Sequence, residues 1–320
     1  MSRAPWHEEN WRLLQQRRAN GTLPHALLLC GPEGLGKREF AAALAAALLC
    51  QNPRADGAAC GACRACALLA AGSHPDRVRV TLELRDDGKP RTEITVDQIR
   101  VLSERLALTA QFGGFQIALI DPADLMNHAA ANALLKTLEE PTPATVIVLI
   151  ADQPARLSAT IRSRCQRVEF RVPAPAQGRE WLEQHGADAK AASAALAAAG
   201  GNPGLALRWI QAGGLALREE VSADLKALYG GKAAAVEVAN RWSRQEPETR
   251  LWFAAALARE EAQAAARGAT GPLALTARPD FTKLSAWFDQ ANRARAQLRG
   301  PLRPELVLLE VLTAVAPRSR

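Results

Sequence analysis

No apolar run in this sequence approaches eighteen residues, which argues against a membrane-spanning helix. The opening, "MSRAPWHEENW", lacks the apolar centre of an export signal, so a cytoplasmic protein is expected. No dense basic run accompanies the formal charge of +7. That charge is compatible with work near nucleic acid, and equally with an ordinary arginine-rich surface. Aromatic residues make up only 5% of the chain while alanine abounds, the composition of a helix-rich protein built from small side chains. At 320 residues there is room for two or three domains and at least one sizeable core.

What is present alternates, in the first half, between strand-like and helix-like segments. "ALLLC" (26–30) is a short apolar run ending in glycine and proline, and "REFAAALAAALLC" after it reads as a helix. "DRVRVTLEL" reads as a strand alternating at Val78, Val80 and Leu82. "TVDQIRVLSERLAL" places Ile99, Leu102 and Leu106 on one helical stripe, with Asp97 near its start, where a carboxylate is favoured. "FQIALID" and "TVIVLIAD" read as buried strands on either side of the helical "LMNHAAANALLKTLEEP". Strand and helix alternating with short joins predict a parallel sheet with crossover helices. The prolines of "FRVPAPAQ" (170–177) mark a first boundary and "QAGG" (211–214) a second; from there to Arg320 the chain reads as helix. Pro304 fits the first turn of "ELVLLEVLTAV".

The stretch "GPEGLGKREF" follows the first strand. Gly31, Gly34, Gly36 and Lys37 are the parts of a phosphate loop, in which glycines let backbone N–H groups face an anion and lysine reaches the terminal phosphates. The pattern should end in a hydroxyl that ligates magnesium, and Arg38, which cannot ligate a cation, stands there instead. A glycine-rich turn with no ligand is the plainer alternative. After "IALID", Asp121 could hold magnesium, but the next residue, Pro122, can neither accept a proton nor orient a water. Asp124 is too far along to replace it.

Four of the six cysteines lie in one insert, Cys50, Cys60, Cys63 and Cys66. Four thiolates at this spacing suit a structural tetrahedral zinc, which would stabilise an insert with little core of its own. An iron–sulfur cluster is the rival, although "ALLA" after Cys66 lacks the fourth cysteine and proline of ferredoxin runs. A redox pair needs fewer cysteines than are present. His74, in "SHPD", reads as a turn histidine, and Trp252, Phe253, Trp287 and Phe288 as packing residues.

Taken in order, "GPEGLGK", the cysteine insert, "ANALLKTLEEP" (131–141) and "SATIRSRC" (158–165) closely resemble the clamp-loader subunits of bacterial DNA polymerase III, an AAA+ family. The likeness covers the first two-thirds of the chain, and the last third only in helical character. It implies a RecA-like AAA+ α/β parallel-sheet domain over residues 1–172 with a zinc-binding insert at about 50–66. It also implies a small helical lid over 173–212 and an all-helical collar domain over 213–320. In the family's motor subunits, tau and gamma, a glutamate follows the strand-end aspartate, a threonine sensor follows the next strand, and G-S-x-R-D-A-L supplies a sensor arginine. Here those places hold Pro122, Ala151-Asp152, and Gly204 in "GNPGLAL". With Arg38, four positions depart, so the resemblance implies a subunit without its own ATPase that serves as a rigid partner in loading the sliding clamp onto primed DNA. Because Gly31, Gly34, Gly36 and Lys37 survive, an active or nucleotide-binding motor-type subunit is the alternative. The "SRC" triplet is intact, and by the resemblance Arg164, on a short loop after an apolar strand, enters a neighbouring subunit's ATP site as an arginine finger. Arg162 does not fit the triplet. The partners implied are the delta and tau or gamma subunits, with the clamp and primed DNA reached through the complex and no membrane. A zinc-dependent nucleic-acid-binding protein is the rival from another class.

Overall fold

A computed structural model describes residues 3–85, 88, 91–274, 281–298, 300 and 302–315. The chain divides into two compact units, the first comprising residues 1–184 with 202–205, the second 185–201 with 206–320.

In the first unit, α1 (Glu8–Ala19) leads into β1 (Ala26–Cys30) and α2 (Lys37–Leu49), and α3 (Arg64–Ala70) closes the cysteine insert. Then follow β2 (Arg77–Val80), α4 (Val96–Leu106), β3 (Gln116–Ile120), α5 (His128–Glu139) and β4 (Thr145–Ala151). The short α6 (Ala159–Arg164), β5 (Gln166–Glu169) and α7 (Pro175–Gln184) complete it. The strands form one sheet in the order β2-β3-β4-β1-β5, every neighbouring pair parallel. This is the parallel α/β sheet with crossover helices expected from the alternation, and it agrees with the RecA-like AAA+ domain that the resemblance implied. Every residue of β1, β3 and β4 is buried, because helices cover both faces. Alternate residues serve opposite cores: Leu28, Ile120 and Leu149 pack with α4 and α5, while Leu27, Leu29 and Val148 pack with α1 and α2.

The α4 stripe buries Ile99, Leu102 and Leu106, and its start is a capping box in which Gln98 accepts the Thr95 N–H at 3.0 Å. Asn127 caps α5 by accepting the Ala130 N–H at 2.9 Å, and Ser158 caps α6. Two expectations need correction. The strand read as running to Leu84 ends at Val80, since the following stretch leaves the sheet. Arg164 is the last residue of a helix that leads into an edge strand, not part of a loop after an apolar strand. One turn of helix forms there because Ser158 supplies its cap and Ile161 buries fully against the core.

In the second unit are α8 (Ala189–Ala198), most of α9 (Pro203–Ala212), α10 (Gly214–Tyr229), α11 (Ala235–Arg244), α12 (Pro247–Ala266), α13 (Phe281–Gln297) and α14 (Pro304–Thr313). Helix was also expected over 275–280 and 316–320, which lie outside the described residues. Alanines 254, 255, 256 and 258 of α12 are buried, where their small side chains permit close helix contact. The aromatics serve packing: Trp209 lies 4.5 Å from both Trp252 and Phe253, ring centre to centre, and Trp287 donates to the Val311 carbonyl at 2.8 Å. Among the described residues, no helix is long and apolar enough to cross a membrane.

Candidate functional site

The phosphate loop sits where β1 ends and α2 begins, at the carboxyl edge of the sheet. Gly31, Gly34 and Gly36 all have positive φ, and at Gly34 (φ 87°) a side chain would stand 2.7 Å from the Asn202 Oδ1. Lys37, the first residue of α2, keeps only 1% of its side chain exposed. Its ammonium donates to the carbonyls of Gly31 at 2.6 Å and Pro32 at 2.7 Å, and pairs with Asp152 Oδ1 at 2.5 Å. Two hydrogen bonds and one ion pair thus engage the ammonium.

Arg38 grips Asp121 with both arms of its guanidinium, Nε to Oδ2 at 3.1 Å and Nη2 to Oδ1 at 2.9 Å. The same Nη2 reaches Asp152 Oδ2 at 3.0 Å, and Arg79 approaches Asp121 at 3.5 Å. A chain of alternating charge, Lys37, Asp152, Arg38, Asp121, Arg79, thus links the head of α2 to the ends of β4 and β3 and to β2. Burial opposes the charge on Asp152, but hydrogen bonds from Lys37 and Arg38 outweigh it and hold the carboxyl below its ordinary range. Burial likewise opposes the charge on Arg38, and its two aspartates overcome it, raising its pKa. Asp124 is buried and turned to another task, accepting the Gln153 N–H at 2.9 Å.

Within the same unit, the start of α9 rests on the loop. Asn202 donates to the Glu33 carbonyl at 2.6 Å and accepts the Leu205 N–H at 3.1 Å. Gly204 lies so close that a Cβ there would overlap the Gly34 carbonyl oxygen. From the other side, His7 and Trp6 both reach the Leu35 carbonyl, at 2.7 and 3.0 Å. The loop is therefore held from two sides. A magnesium nucleotide does not fit this arrangement: the lysine is consumed, and a guanidinium fills the space between residue 38 and Asp121 where the cation would be held.

The four cysteines converge. Their sulfurs all lie within 4.8 Å of one another, with Cys50–Cys63 and Cys60–Cys66 each at 3.9 Å. A tetrahedral zinc with bonds of about 2.3 Å spaces its ligands about 3.8 Å apart, so the set fits. Backbone N–H groups of Ala62 and Cys63 point at the Cys60 sulfur and lower its pKa. Burial opposes ionisation at Cys63, but N–H groups of Cys66 and Gln51 bring it to about 6. Burial and the neighbouring sulfurs push Cys66 up to about 12. Four sulfurs this close cannot all become thiolates without a cation among them. The cluster can hold a metal ion. His74 is buried elsewhere, accepting the Asp76 N–H at 3.1 Å beside Phe112.

Arg164 is half-buried, 34% exposed, and already oriented. Its Nε and Nη2 bind Glu139 Oε1 at 2.7 and 2.5 Å, and Nη1 donates to the Thr160 carbonyl at 3.0 Å.

A family model described as DNA polymerase III, delta subunit, matches residues 6–174. A DNA polymerase III subunit delta' of Pseudomonas aeruginosa is 44% identical over 241 residues, covering 75% of this chain and 71% of that protein. The chain belongs to the DNA polymerase III delta-prime family. The Escherichia coli delta' subunit is 38% identical over 217 residues, 67% of this chain and 63% of that protein, a little under two-thirds of its length. A Bacillus subtilis subunit tau is 31% identical over 160 residues, 50% of this chain and 27% of that protein.

For a delta-prime chain the residues that sequence reasoning undervalues are Asp152 and Glu139. In sequence, Asp152 is only a missing threonine; in the fold it is the anion between Lys37 and Arg38. The available signal was an acid directly after a fully buried strand, β4, in a chain with two cations at the head of α2. Glu139 lies inside "LEEP" and nothing in its spacing ties it to Arg164, 25 residues away.

Proposed function

We propose that this delta-prime chain is a catalytically silent clamp-loader subunit, a stator, that helps load the sliding clamp onto primed DNA and lends Arg164 to a neighbouring motor subunit. The observation that carries the reading is the state of the phosphate loop, where Lys37 and Arg38 are both committed to aspartates. In addition, Arg164 is pre-oriented by Glu139 and 34% exposed. A planar guanidinium so placed stabilises charge on a transferring phosphoryl group without any chemistry in its own chain.

The rest of the reading follows the family. Residues 1–172 serve as the AAA+ domain, 173–212 as a lid and 213–320 as the collar through which the chain assembles with delta and tau or gamma subunits in the cytoplasm. The ion among Cys50, Cys60, Cys63 and Cys66 is zinc, with four protein ligands and no open position, so its role is structural. The surviving Gly31, Gly34, Gly36 and Lys37 favour the rival reading of a nucleotide-binding, motor-type subunit.

The test uses the assembled complex on primed DNA. Arg164→Ala abolishes hydrolysis at the one motor site it serves, where a finger is worth about 10³-fold or more; Arg162→Ala and Lys37→Ala leave turnover intact. Steady ATP turnover by the purified chain, or an Arg164→Ala complex as active as its parent, overturns the proposal.

A further inference from the structure

A phosphate loop binds its ligand with two positive elements. The lysine reaches the terminal phosphates, and a magnesium ion bridges those phosphates to the loop hydroxyl and the strand-end aspartate. In this chain the residue at the hydroxyl position, Arg38, touches the strand-end Asp121 directly, so the metal's two protein anchors are joined by a guanidinium. Asp152 contacts Lys37 with one oxygen and Arg38 with the other. Those are the two partners a terminal phosphate would have, the lysine and the cation.

We infer that the loop carries its own ligands: Arg38 stands in for magnesium as the cation on Asp121, Asp152 stands in for the terminal phosphate as the anion on Lys37 and Arg38, and removing the Asp152 charge uncovers a magnesium-independent polyphosphate site. The inference deepens the silent-subunit reading and rests on it. Two further observations support it. At the loop itself Lys37 and Arg38 are balanced by Asp152 and Asp121, and the remaining cation, Arg79, is 58% exposed and pairs with Asp121, so an incoming anion finds no uncommitted cation at the head of α2 unless an aspartate is lost. The loop is also braced in place, by Asn202 on Glu33 and by Gly204 against Gly34. An empty motor loop differs in one decisive respect. Its hydroxyl cannot pair with the strand-end aspartate as Arg38 does, and here displacement of Arg38 would strand Asp121, only 6% exposed, with Arg79 alone.

The experiment is calorimetric titration of the full chain with sodium tripolyphosphate and with ATP, each in magnesium and in EDTA. The parent chain gives no saturable heat in either condition. Asp152→Asn binds tripolyphosphate in EDTA with a dissociation constant below about 1 mM, gains nothing from magnesium, and loses the binding when Lys37→Ala is added. A folded Asp152→Asn chain that binds nothing overturns this inference while leaving the silent reading intact. Hydrolysis of ATP by the parent overturns the silent reading itself, and a parent site that binds ATP only with magnesium overturns the internal-cation assignment. A second measurement needs no variant. Lys37 in the parent is acylated by a small reagent roughly tenfold or more slowly than the exposed Lys190 and Lys232, and equal rates refute the inference.

Discussion

The pairing of Arg38 with Asp121 can be weighed directly by a double-mutant cycle. Asp121 keeps 6% of its side chain exposed and Arg38 keeps 38%, so the acid is buried and the base is partly in water. Removing one partner of a fully buried pair costs about 3–5 kcal/mol, because the other charge is left uncompensated. Solvent around Arg38 and the distant Arg79 soften that loss, and we expect Arg38→Ala to cost about 2–3 kcal/mol. For a unit of this size each kcal/mol lowers the midpoint by about 2–4 °C, so the transition should fall by about 4–12 °C. Arg38→Ala combined with Asp121→Asn should cost less than the sum of the single changes, with a coupling of about 2 kcal/mol. The assay is thermal and urea unfolding of all four proteins, followed by circular dichroism. Additivity within about 0.5 kcal/mol would refute the bidentate pair, and with it the idea that residue 38 does the structural work of a bound cation.

Other expectations follow from the same structure. The purified chain should contain one zinc per chain by elemental analysis; chelation, or Cys63→Ser, should release it and open the insert to trypsin at the exposed Arg54 and Arg64. Uncut insert after complete metal loss would show that the ion is not what holds it. His7 and His74 are buried and their pKa values are lowered by that burial, so the unfolded chain takes up protons that the folded chain refuses. Stability should therefore decline as pH falls from about 6.5 through their lower folded values. Urea midpoints at neutral and mildly acid pH should show the loss, and His7→Gln should remove part of it. Gly204→Arg, which puts at residue 204 the arginine that the resemblance expects of a motor subunit, should destabilise the chain by about 1–3 kcal/mol through overlap with the Gly34 carbonyl and restore no turnover; a stable variant would show that the start of α9 does not press on the loop.

Local pattern determined a good deal of this protein. The stripe of Ile99, Leu102 and Leu106, the apolar runs of β1, β3 and β4, and the cysteine spacing all act over a few residues, where periodicity and ligand reach are legible without a fold. β5 escaped such reading because only Val168 of its four residues is buried, which leaves no alternation to detect. The state of the phosphate loop was beyond reach for a different reason. The glycines and Lys37 are local, but what the lysine does depends on Asp152, and what Arg38 does depends on Asp121, 83 residues away, and Asp152, 114 away. Only the parallel sheet, by setting β1 beside β4 and β4 beside β3, brings the three strand ends within ion-pair distance. Charge pairing falls off within a few ångströms, so tertiary structure alone decided that this loop's cations are met by the chain's own acids.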